Sequence, residues 1–379
     1  ATSASYFFQN TLTTDFKRDK LKQLRTNPKH YITSLFIGAH HVIHQKFTQF
    51  YSKIGWQVET KDGVLRKRRR AYNAWTCVDG GTTCTLVFVL DGHKVYISNV
   101  GDSSCIIGGA KFNKLPANWF TAVPDPVQQA KYTALAQSTN VSVIPLATLQ
   151  QELSASHSPE ELTEFVRIRN VRPNPAQNSI PDLCFVYDSF SSGKQYCTPI
   201  FSVDPTNAAK YRVINKGAYY KNVRDEWGAI VSTPQSAEYP ESLAMTRSLG
   251  DFYLQQYGVS HIPDICCVDL LECQKCPWVL SIGSDGIWDN WKFMDAVQMM
   301  LKPKYVQASI QQGTSKVACQ DFMAANLKRA HINFGNQADN MTLILCYIYP
   351  QRTPTTPTTP TTLTSTTTST AESSSFKHV

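Results

Sequence analysis

Long apolar runs are missing from this sequence of 379 residues. No stretch approaches the roughly eighteen uninterrupted apolar residues that a membrane-spanning helix needs, so we expect a soluble protein without a membrane partner. Charged residues are also sparse, at 17%, whereas hydrophobic residues make up 42%. A chain of this composition can bury a sizeable core, and its length allows one large domain or two ordinary ones.

A disulfide framework is not expected either. The eleven cysteines are an odd number, and most of them stand in apolar runs such as TTCTLVFVL and LILCYIY. This pattern is typical of buried free thiols in a reducing compartment, which predicts an intracellular protein of the cytoplasm, the nucleus or both. The CQKC at 273–276 has the spacing of a zinc knuckle, but a matching second pair of ligands is not evident.

Positive charge is concentrated in RKRRR at 66–70, within a chain of net charge +8. Such a run can be a nuclear-import signal or a nucleic-acid patch. No aromatic stacking platform accompanies it in the sequence, and no known nucleic-acid module is recognisable. We therefore predict a solvated loop between two elements and expect no nucleic-acid partner, and the question of a nuclear signal stays open.

Apolar periodicity predicts the first elements of secondary structure. Residues 28–52 repeat apolar side chains every three or four positions, which indicates a helix. Two β-branched runs, TLVFVL and KVYISNV, flank Asp91-Gly92-His93. An Asp-Gly-His run is one way in which a metallophosphatase presents a metal-binding carboxylate. Its place between two strand-like runs, with a Gly that supplies positive φ, favours a hairpin turn instead.

Two segments differ from the rest of the chain in composition. Residues 109–198 are poorly periodic and rich in Pro, Asn, Gln and Ser, so we interpret them as an insertion. From 350 to 379 the chain becomes TPTTPTTPTTLTSTTTST and similar sequence, which cannot bury apolar surface and is expected to be disordered. The predicted organisation is one domain over 1–349, followed by this tail.

Carboxylates stand at the ends of two predicted strands. The apolar run 279–282 leads into Ser284-Asp285-Gly286, and Asp289 follows four residues later on the same side of any helix that begins there. Asp339 stands just before the strand-like MTLILCYIY. Paired carboxylates suit hard divalent cations such as Mg²⁺ or Mn²⁺. The alternative is equally simple: helix-capping and turn aspartates are common.

Five segments occur in an order that resembles the metal-dependent serine/threonine protein phosphatases of type 2C. They are GGTTCTLVFVL (80–90), VYISNVGDSS (95–104), ESLAMTRSLGDF (241–252), LSIGSDGIWDN (280–290) and ADNMTLIL (338–345). Each segment alone is weakly specific, but the five together span most of the chain. The segment 199–220 resembles a degenerate version of a further family motif, with Asp204 in the position of its aspartate.

The resemblance implies an α+β fold in which two packed antiparallel β-sheets carry helices on both outer faces. It also implies roles for single residues. Asp285 and Asp339 would hold a pair of Mg²⁺ or Mn²⁺ ions, and Asp289, with Asp285 and less securely Asp204, would hold a third, weaker ion. The positions that would support the core are Thr83, Asp102, Arg247, Gly250 and Asp251.

The implied activity is that of a hydrolase that removes phosphate from phosphoserine and phosphothreonine in proteins. A metal-activated water would attack phosphorus in line, so no covalent intermediate is needed and phosphoproteins are the expected partners of a monomeric enzyme. An unrelated metal-dependent hydrolase would not predict the order of the five segments.

The sequence departs from the family at its start. The family's Arg-x-x-Met-Glu-Asp segment and Asp-Gly-His-Gly-Gly turn, which carry the phosphate-binding Arg and the bridging metal ligand, have no counterpart here, and the first strands of the fold would be absent with them. Residues 1–12 resemble the helix that follows that turn. Two expectations remain: the chain is a fragment of an active phosphatase, or it is a pseudophosphatase that binds partners as a scaffold. Ser104 and Pro205, where the family often has Arg and His, favour the second.

Overall fold

The computed structural model describes most of the chain as helices and antiparallel strands. The described residues are 1–14, 18–109, 117–121, 150–172, 180–189, 193–204, 207–213, 215–273, 277–349 and 367–370. Three predictions therefore fall wholly or partly outside them: the second cysteine of the CQKC run, the centre of the predicted insertion and most of the predicted disordered tail.

The helices lie mainly at the two ends of the chain. The π-helical turn Asn10–Thr14 extends the first of them. In chain order they are α1 (Thr2–Gln9), α2 (Arg18–Thr26), α3 (Pro28–Lys53), α4 (Leu162–Val171), α5 (Phe252–Gln255), α6 (Asp285–Trp288), α7 (Phe293–Met300), α8 (Pro303–Gln312) and α9 (Lys316–Phe334).

The strands occupy the middle of the chain and return near its end. In chain order they are β1 (Trp56–Lys61), β2 (Val64–Arg69), β3 (Thr76–Cys77), β4 (Gly81–Thr82), β5 (Cys84–Leu90), β6 (Lys94–Val100), β7 (Ser104–Gly109), β8 (Ala117–Thr121), β9 (Gln150–Glu152), β10 (Cys184–Tyr187), β11 (Phe201–Asp204), β12 (Asn207–Val213), β13 (Ala229–Ser232), β14 (Ser242–Leu243), β15 (Leu249–Gly250), β16 (Asp264–Asp269), β17 (Trp278–Gly283), β18 (Thr342–Ile348) and β19 (Thr367–Thr370).

Two sheets face each other across an apolar core. One has the strand order β5-β6-β16-β8 and the other β19-β18-β17-β7-β9, and neighbouring strands in both are antiparallel. The cluster between them takes Val95 and Cys266 from the first sheet and Ile107 and Leu280 from the second. These side chains are buried because each strand turns every second residue toward the other sheet.

Helices cover the outer faces of both sheets. On the first sheet, Phe36 of α3 belongs to one buried cluster with Leu90 of β5. On the second, Phe322 of α9 shares a cluster with Val279 and Leu345. Successive strand residues point to opposite faces, so Val279 faces the helices whereas its neighbour Leu280 faces the other sheet. The predicted sandwich of two antiparallel sheets with helices on both outer faces is confirmed.

The local predictions at the start of the sandwich are also confirmed. Helix α3 covers the predicted range 28–52; Pro28 occupies its first turn, and the Asn27 side chain accepts a hydrogen bond from the His30 amide at 3.2 Å. The turn at 91–93 joins β5 to β6, with Asp91 at φ 52° and Gly92 at φ 77°. Positive φ at both positions is what a tight hairpin of this kind requires.

The predicted loop at RKRRR is wrong, because most of the run is strand. Arg66 and Lys67 lie in β2, paired with β1 on one side and with the short β3 on the other. Aromatic side chains lie beside the run, since Arg68 lies over the ring of Trp75 and Arg69 over that of Trp56. These contacts hold long cationic side chains on a strand, where composition alone predicts a solvated loop.

Parts of the range predicted as an insertion lie within the core. Strand β9 pairs with β7 in the second large sheet, and Leu153 beside it is fully buried. Helix α4 buries Phe165 and Ile168. The assignment of 109–198 as an insertion remains a prediction. None of the helices in the described residues has the length and apolar character to cross a membrane.

Candidate functional site

Strands β17 and β18 bring Asp285 and Asp339 to the same edge of a sheet. The strands are antiparallel, and the pairing continues beyond them: the Ser284 amide donates to the Thr342 carbonyl at 3.1 Å, and the Thr342 amide donates to Ser284 Oγ at 3.2 Å. The backbones then come so close that a Cβ atom at Gly286 would lie 2.3 Å from the Asn340 carbonyl oxygen. Only glycine fits between the two predicted motif segments.

The short helix α6 places Asp289 on the same side as Asp285. The Asp289 amide donates to the Asp285 carbonyl at 2.7 Å, so the two residues are one helical turn apart. Trp288, fully buried beneath them, donates from Nε1 to the carbonyls of Ser104 at 3.0 Å and Gly283 at 2.8 Å. The indole thereby ties the helix to the start of β7, directly after Asp102.

Asp102, Asp289 and Asp339 each lie near Asp285, and the four residues are here called the acidic cluster. Burial, followed by the negative charges of Asp102 and Asp339, raises the pKa of Asp285 to about 6. Burial raises the pKa of Asp289 to about 7, and the charge of Asp285 adds to that effect. Burial also raises the pKa of Asp102. The effect of burial on these carboxylates thus exceeds the effect of the positive charges near them.

Asp102 is the one residue of the acidic cluster that the sequence did not predict as a metal ligand. From the sequence we expected it to support the core, and the structure shows in addition that its charge acts on Asp285. The signal was available in the sequence, since Asp102 stands two residues after one predicted strand and Asp285 shortly after another. Carboxylates at the ends of neighbouring strands meet at one edge of a sheet, and β7, which follows Asp102, is paired with β17.

A hairpin at 219–228, here called the basic hairpin, packs against the acidic cluster. Its backbone is closed by hydrogen bonds from the Lys221 amide to the Glu226 carbonyl at 2.7 Å and from the Gly228 amide to the Tyr219 carbonyl at 2.9 Å. Two further bonds join it to α6: the Val223 amide donates to the Asp289 carbonyl at 3.2 Å, and Asn222 Nδ2 donates to Asp289 Oδ1 at 3.3 Å.

The basic hairpin carries two cations toward the acidic cluster. Lys221 lies close enough to favour the charged forms of Asp102, Asp285 and Asp289, which lowers the pKa of each against the effect of burial. Arg224 donates to the Trp288 carbonyl oxygen and, from Nε, to Glu226 at 2.9 Å. Sequence analysis missed both residues, because nothing in KNVRDE shows which distant carboxylates the turn will contact.

The remaining predicted support residues pack around the glycines of their own motifs. Asp251 adopts φ 46° and its amide donates to the Gly80 carbonyl at 3.0 Å, while Gly250 at φ 100° leaves no room for a Cβ atom beside that carbonyl. Thr83 Oγ1 lies 2.9 Å from Ser103 Oγ, next to Asp102. The contacts of Gly250 and Asp251 join the end of β15 to the segment before β5. The contact of Thr83 joins that segment to the one after β6.

Arg247 is at the centre of a buried ion network. Its guanidinium lies 2.5 Å from Glu164 Oε1 and 3.0 Å from Asp264 Oδ1, and Glu164 also pairs with Arg167 at 2.8 Å. Asp204, the weakest of the predicted metal ligands, is the last residue of β11, and its side chain is outside the described part of the structure. Its proposed role as a ligand stays a prediction.

The ligand geometry for a metal ion is incomplete. Carboxylate oxygens are the donors that Mg²⁺ and Mn²⁺ prefer, so the donor set of the acidic cluster fits such an ion in kind. In the described part of the chain, however, no three His, Cys, Asp or Glu side chains stand together as a group able to hold one.

Residues 223–329 match the family model described as Protein phosphatase 2C. This range contains Arg247, α6 and two of the five motif segments identified in the sequence. The predicted resemblance to type 2C phosphatases is confirmed. No curated protein matches the chain.

Two solved structures are similar to the whole chain at low identity. One is the serine-threonine phosphatase 2C from Toxoplasma gondii, at 14% identity over 90% of this chain and 74% of that one, with a TM-score of 0.43. The other is a phosphatase from Toxoplasma gondii, at 12% identity over 91% of this chain and 73% of that one, with a TM-score of 0.39.

Proposed function

We propose that the chain hydrolyses phosphoserine and phosphothreonine in proteins with the help of Mg²⁺ or Mn²⁺. The observation that carries the proposal is the meeting of Asp285 and Asp339 at one sheet edge, where Asp102 and Asp289 join them. The family match over residues 223–329 supports the same activity. The substrates would be phosphoproteins.

Asp285 and Asp339 would hold two cations, and Asp289, with Asp285 and less securely Asp204, would hold a third, weaker one. Bound cations of this kind neutralise phosphoryl oxygens and lower the pKa of a bound water. The protein's own contribution is position: the close approach of Gly286 to Asn340 fixes the distance between the two carboxylates. Burial of Trp288 keeps α6 in place beneath them.

The basic hairpin brings Lys221 and Arg224 beside the acidic cluster, and both of these cations also pair with Glu226 of the same hairpin. Lys221 and Arg224 would attract the phosphoryl group of a substrate, whose oxygens carry negative charge. A cation fixed near the site of a phosphate is a recurring means of stabilising phosphoryl transfer.

The proposal is tested by phosphate release from a phosphothreonine peptide with and without Mn²⁺. We expect turnover that requires the metal and falls at least 100-fold in Asp285→Asn and in Asp339→Asn, since both substitutions remove a proposed ligand but keep the side-chain shape. Asp62→Asn, in the exposed turn between β1 and β2, is the matched control and should keep full activity. Wild-type turnover in both site variants would show that the site is wrongly assigned.

A second candidate is a pseudophosphatase that binds partners on the same fold. The favouring observation is that Lys221 already supplies counter-charge to Asp102, Asp285 and Asp289. Calorimetric titration of the folded chain with Mn²⁺ separates the two candidates. Heat of binding that disappears in Asp285→Asn supports the enzyme, whereas a folded chain that neither binds Mn²⁺ nor releases phosphate supports the scaffold.

A further inference from the structure

The small sheet β1-β2-β3 carries an excess of positive charge. Residues 56–77 contain six Lys and Arg residues but only two carboxylates, Glu59 and Asp62. Five of the cations are consecutive, at 66–70, and four of those five are arginines. The sheet is separate from the two large sheets of the sandwich, and none of its residues belongs to the acidic cluster.

Aromatic rings hold four of these cations in place. Arg66 and Arg68 both lie over the ring of Trp75, at 4.8 and 4.7 Å from its centre. Lys67 lies 4.4 Å from the centre of the Tyr51 ring, and Arg69 lies 4.9 Å from that of Trp56. Contacts of this kind stabilise a cation without neutralising it.

Hydrogen bonds fix the same side chains further. Arg68 Nε donates to Gln57 Oε1 at 2.5 Å, and Lys67 Nζ donates to the Tyr51 hydroxyl at 2.9 Å. Within the described residues, Arg66 alone of the five has a carboxylate partner, Glu59. Lys67, Arg68 and Arg69 are therefore ordered but not neutralised. A partner that brings negative charge gains the electrostatic attraction and loses little additional side-chain entropy.

We propose that this cation–aromatic sheet, defined as residues 56–77 with Tyr51, is a docking surface for an acidic or phosphorylated polypeptide segment. The guanidinium groups present paired donors that match the geometry of carboxylate and phosphate groups. An extended segment places every second side chain on one face, as β2 does, so its anionic side chains can meet the cations that share a face of the strand. The proposal goes beyond the proposed activity, because such binding requires no turnover.

The same contacts argue against single-stranded nucleic acids. These ligands gain much of their affinity from bases stacked on free aromatic faces, whereas Trp75 already stacks with Arg66 and Arg68.

The test is the binding of a fluorescein-labelled peptide of alternating glutamate and phosphoserine, measured by anisotropy without added metal. We expect saturable binding that weakens at least tenfold in the double variant Arg68→Gln/Arg69→Gln. The matched control is Lys316→Gln/Lys328→Gln, which removes the same charge from the exposed face of α9 and should change the affinity less than twofold. Circular dichroism confirms that each variant is folded.

Trp75→Leu provides a second, charge-neutral variant. It releases the guanidinium groups of Arg66 and Arg68 without changing net charge, and we expect a severalfold loss of affinity that simple electrostatics would not produce. Equal peptide binding by wild type and the double arginine variant would overturn the proposal. Tighter binding of a single-stranded oligonucleotide, or of vesicles that contain phosphatidylserine, would also overturn the proposal if that binding is lost in the double arginine variant.

Discussion

Arg247 and Glu164 form an ion pair inside the protein, with Nη2 2.5 Å from Oε1 and exposed side-chain fractions of 3% and 4%. Arg247 belongs to a family motif, whereas Glu164 lies on α4, within the range that the sequence marked as an insertion. The pair therefore fastens α4 to the motif core. Burial acts to raise the pKa of Glu164, but the adjacent Arg167 and Arg247 outweigh it and hold that pKa well below its usual value.

Loss of this pair should be costly. In Glu164→Gln the guanidinium of Arg247 keeps Asp264 but loses its main partner, and breaking a buried pair typically costs about 3–5 kcal/mol. Urea unfolding measures the change. Lys304→Met, which breaks an exposed pair with Asp321, is the control and should shift stability by less than about 1 kcal/mol. Equal effects of the two variants would contradict the buried role of Glu164.

The same pair predicts a pH dependence. Because the pKa of folded Glu164 is below the usual 4.5, the stability it contributes is complete above that pH and is lost as the pH falls through the folded pKa. Stability curves of wild type and Glu164→Gln should therefore approach each other only as the pH falls below 4.5, down to the lower pKa of folded Glu164. Parallel curves throughout the acid range would show that the Glu164 carboxylate is not the source of this pH dependence.

A stacked histidine pair predicts a second loss at higher pH. His40 and His261 stack with ring centres 4.1 Å apart, near Phe252 and Gln255. Burial, followed by His41, lowers the pKa of His261 to about 4, from 6.5. Between pH 6.5 and about 4, the unfolded chain therefore binds a proton at this histidine that the folded chain does not bind. The free energy of unfolding decreases as the pH is lowered through this window.

His261→Gln should flatten this part of the curve. Each proton taken up on unfolding adds a slope of about 1.4 kcal/mol per pH unit, and the variant removes one such proton. Thermal unfolding from pH 4 to 7 measures the slope. The exposed His331 gives the control variant His331→Gln, for which we expect the wild-type slope. An unchanged slope in His261→Gln would refute the assignment.

Gly286→Ala tests the junction between the two motif segments. The added methyl group would meet the Asn340 carbonyl at 2.3 Å, so the backbone must separate Asp285 from Asp339. A displacement of about 1 Å can reduce an enzyme's rate on the order of 100-fold, and we expect a loss of that size in Mn²⁺-dependent phosphate release. Gly55→Ala, at φ 85° with no atom within 4 Å, should lose stability but keep its rate.

Lys221→Met tests the charge balance of the acidic cluster. Removal of this cation leaves Asp102, Asp285 and Asp289 with less counter-charge, so affinity for Mn²⁺ should rise severalfold, which corresponds to on the order of 1 kcal/mol. Electron paramagnetic resonance of free Mn²⁺ measures it without turnover. The exposed Lys216 provides the control Lys216→Met. A lower Mn²⁺ affinity in Lys221→Met would contradict the counter-ion role.

Local patterns predicted much of the fold. The period of α3, the turn at Asp91 and the strand before Ser284 each depend on neighbours in the sequence, and the structure confirms all three. The order of motif segments predicted the sandwich, because those segments form its central strands. It also placed Asp285 and Asp339 together, although their role as metal ligands remains a proposal.

The features that the sequence did not reveal depend on contacts between distant residues. The strand at RKRRR is stabilised by Trp56 and Trp75, which precede and follow it, and no periodic pattern announces such contacts. The basic hairpin is specified by a turn whose partner, Asp289, comes much later in the chain. Propensity and spacing contain no information about either pairing, since both arise only when the sheets assemble.

The register of β17 and β18 links the core to the carboxylates beyond the strand ends. Leu280 faces the other sheet and Val279 faces the helices. A register shift of one residue would turn each of these side chains to the opposite face of the sheet. The same shift would move Asp339 along the edge, away from Asp285. The packing of apolar side chains, which take no part in any chemistry, thus sets the distance between two charged groups.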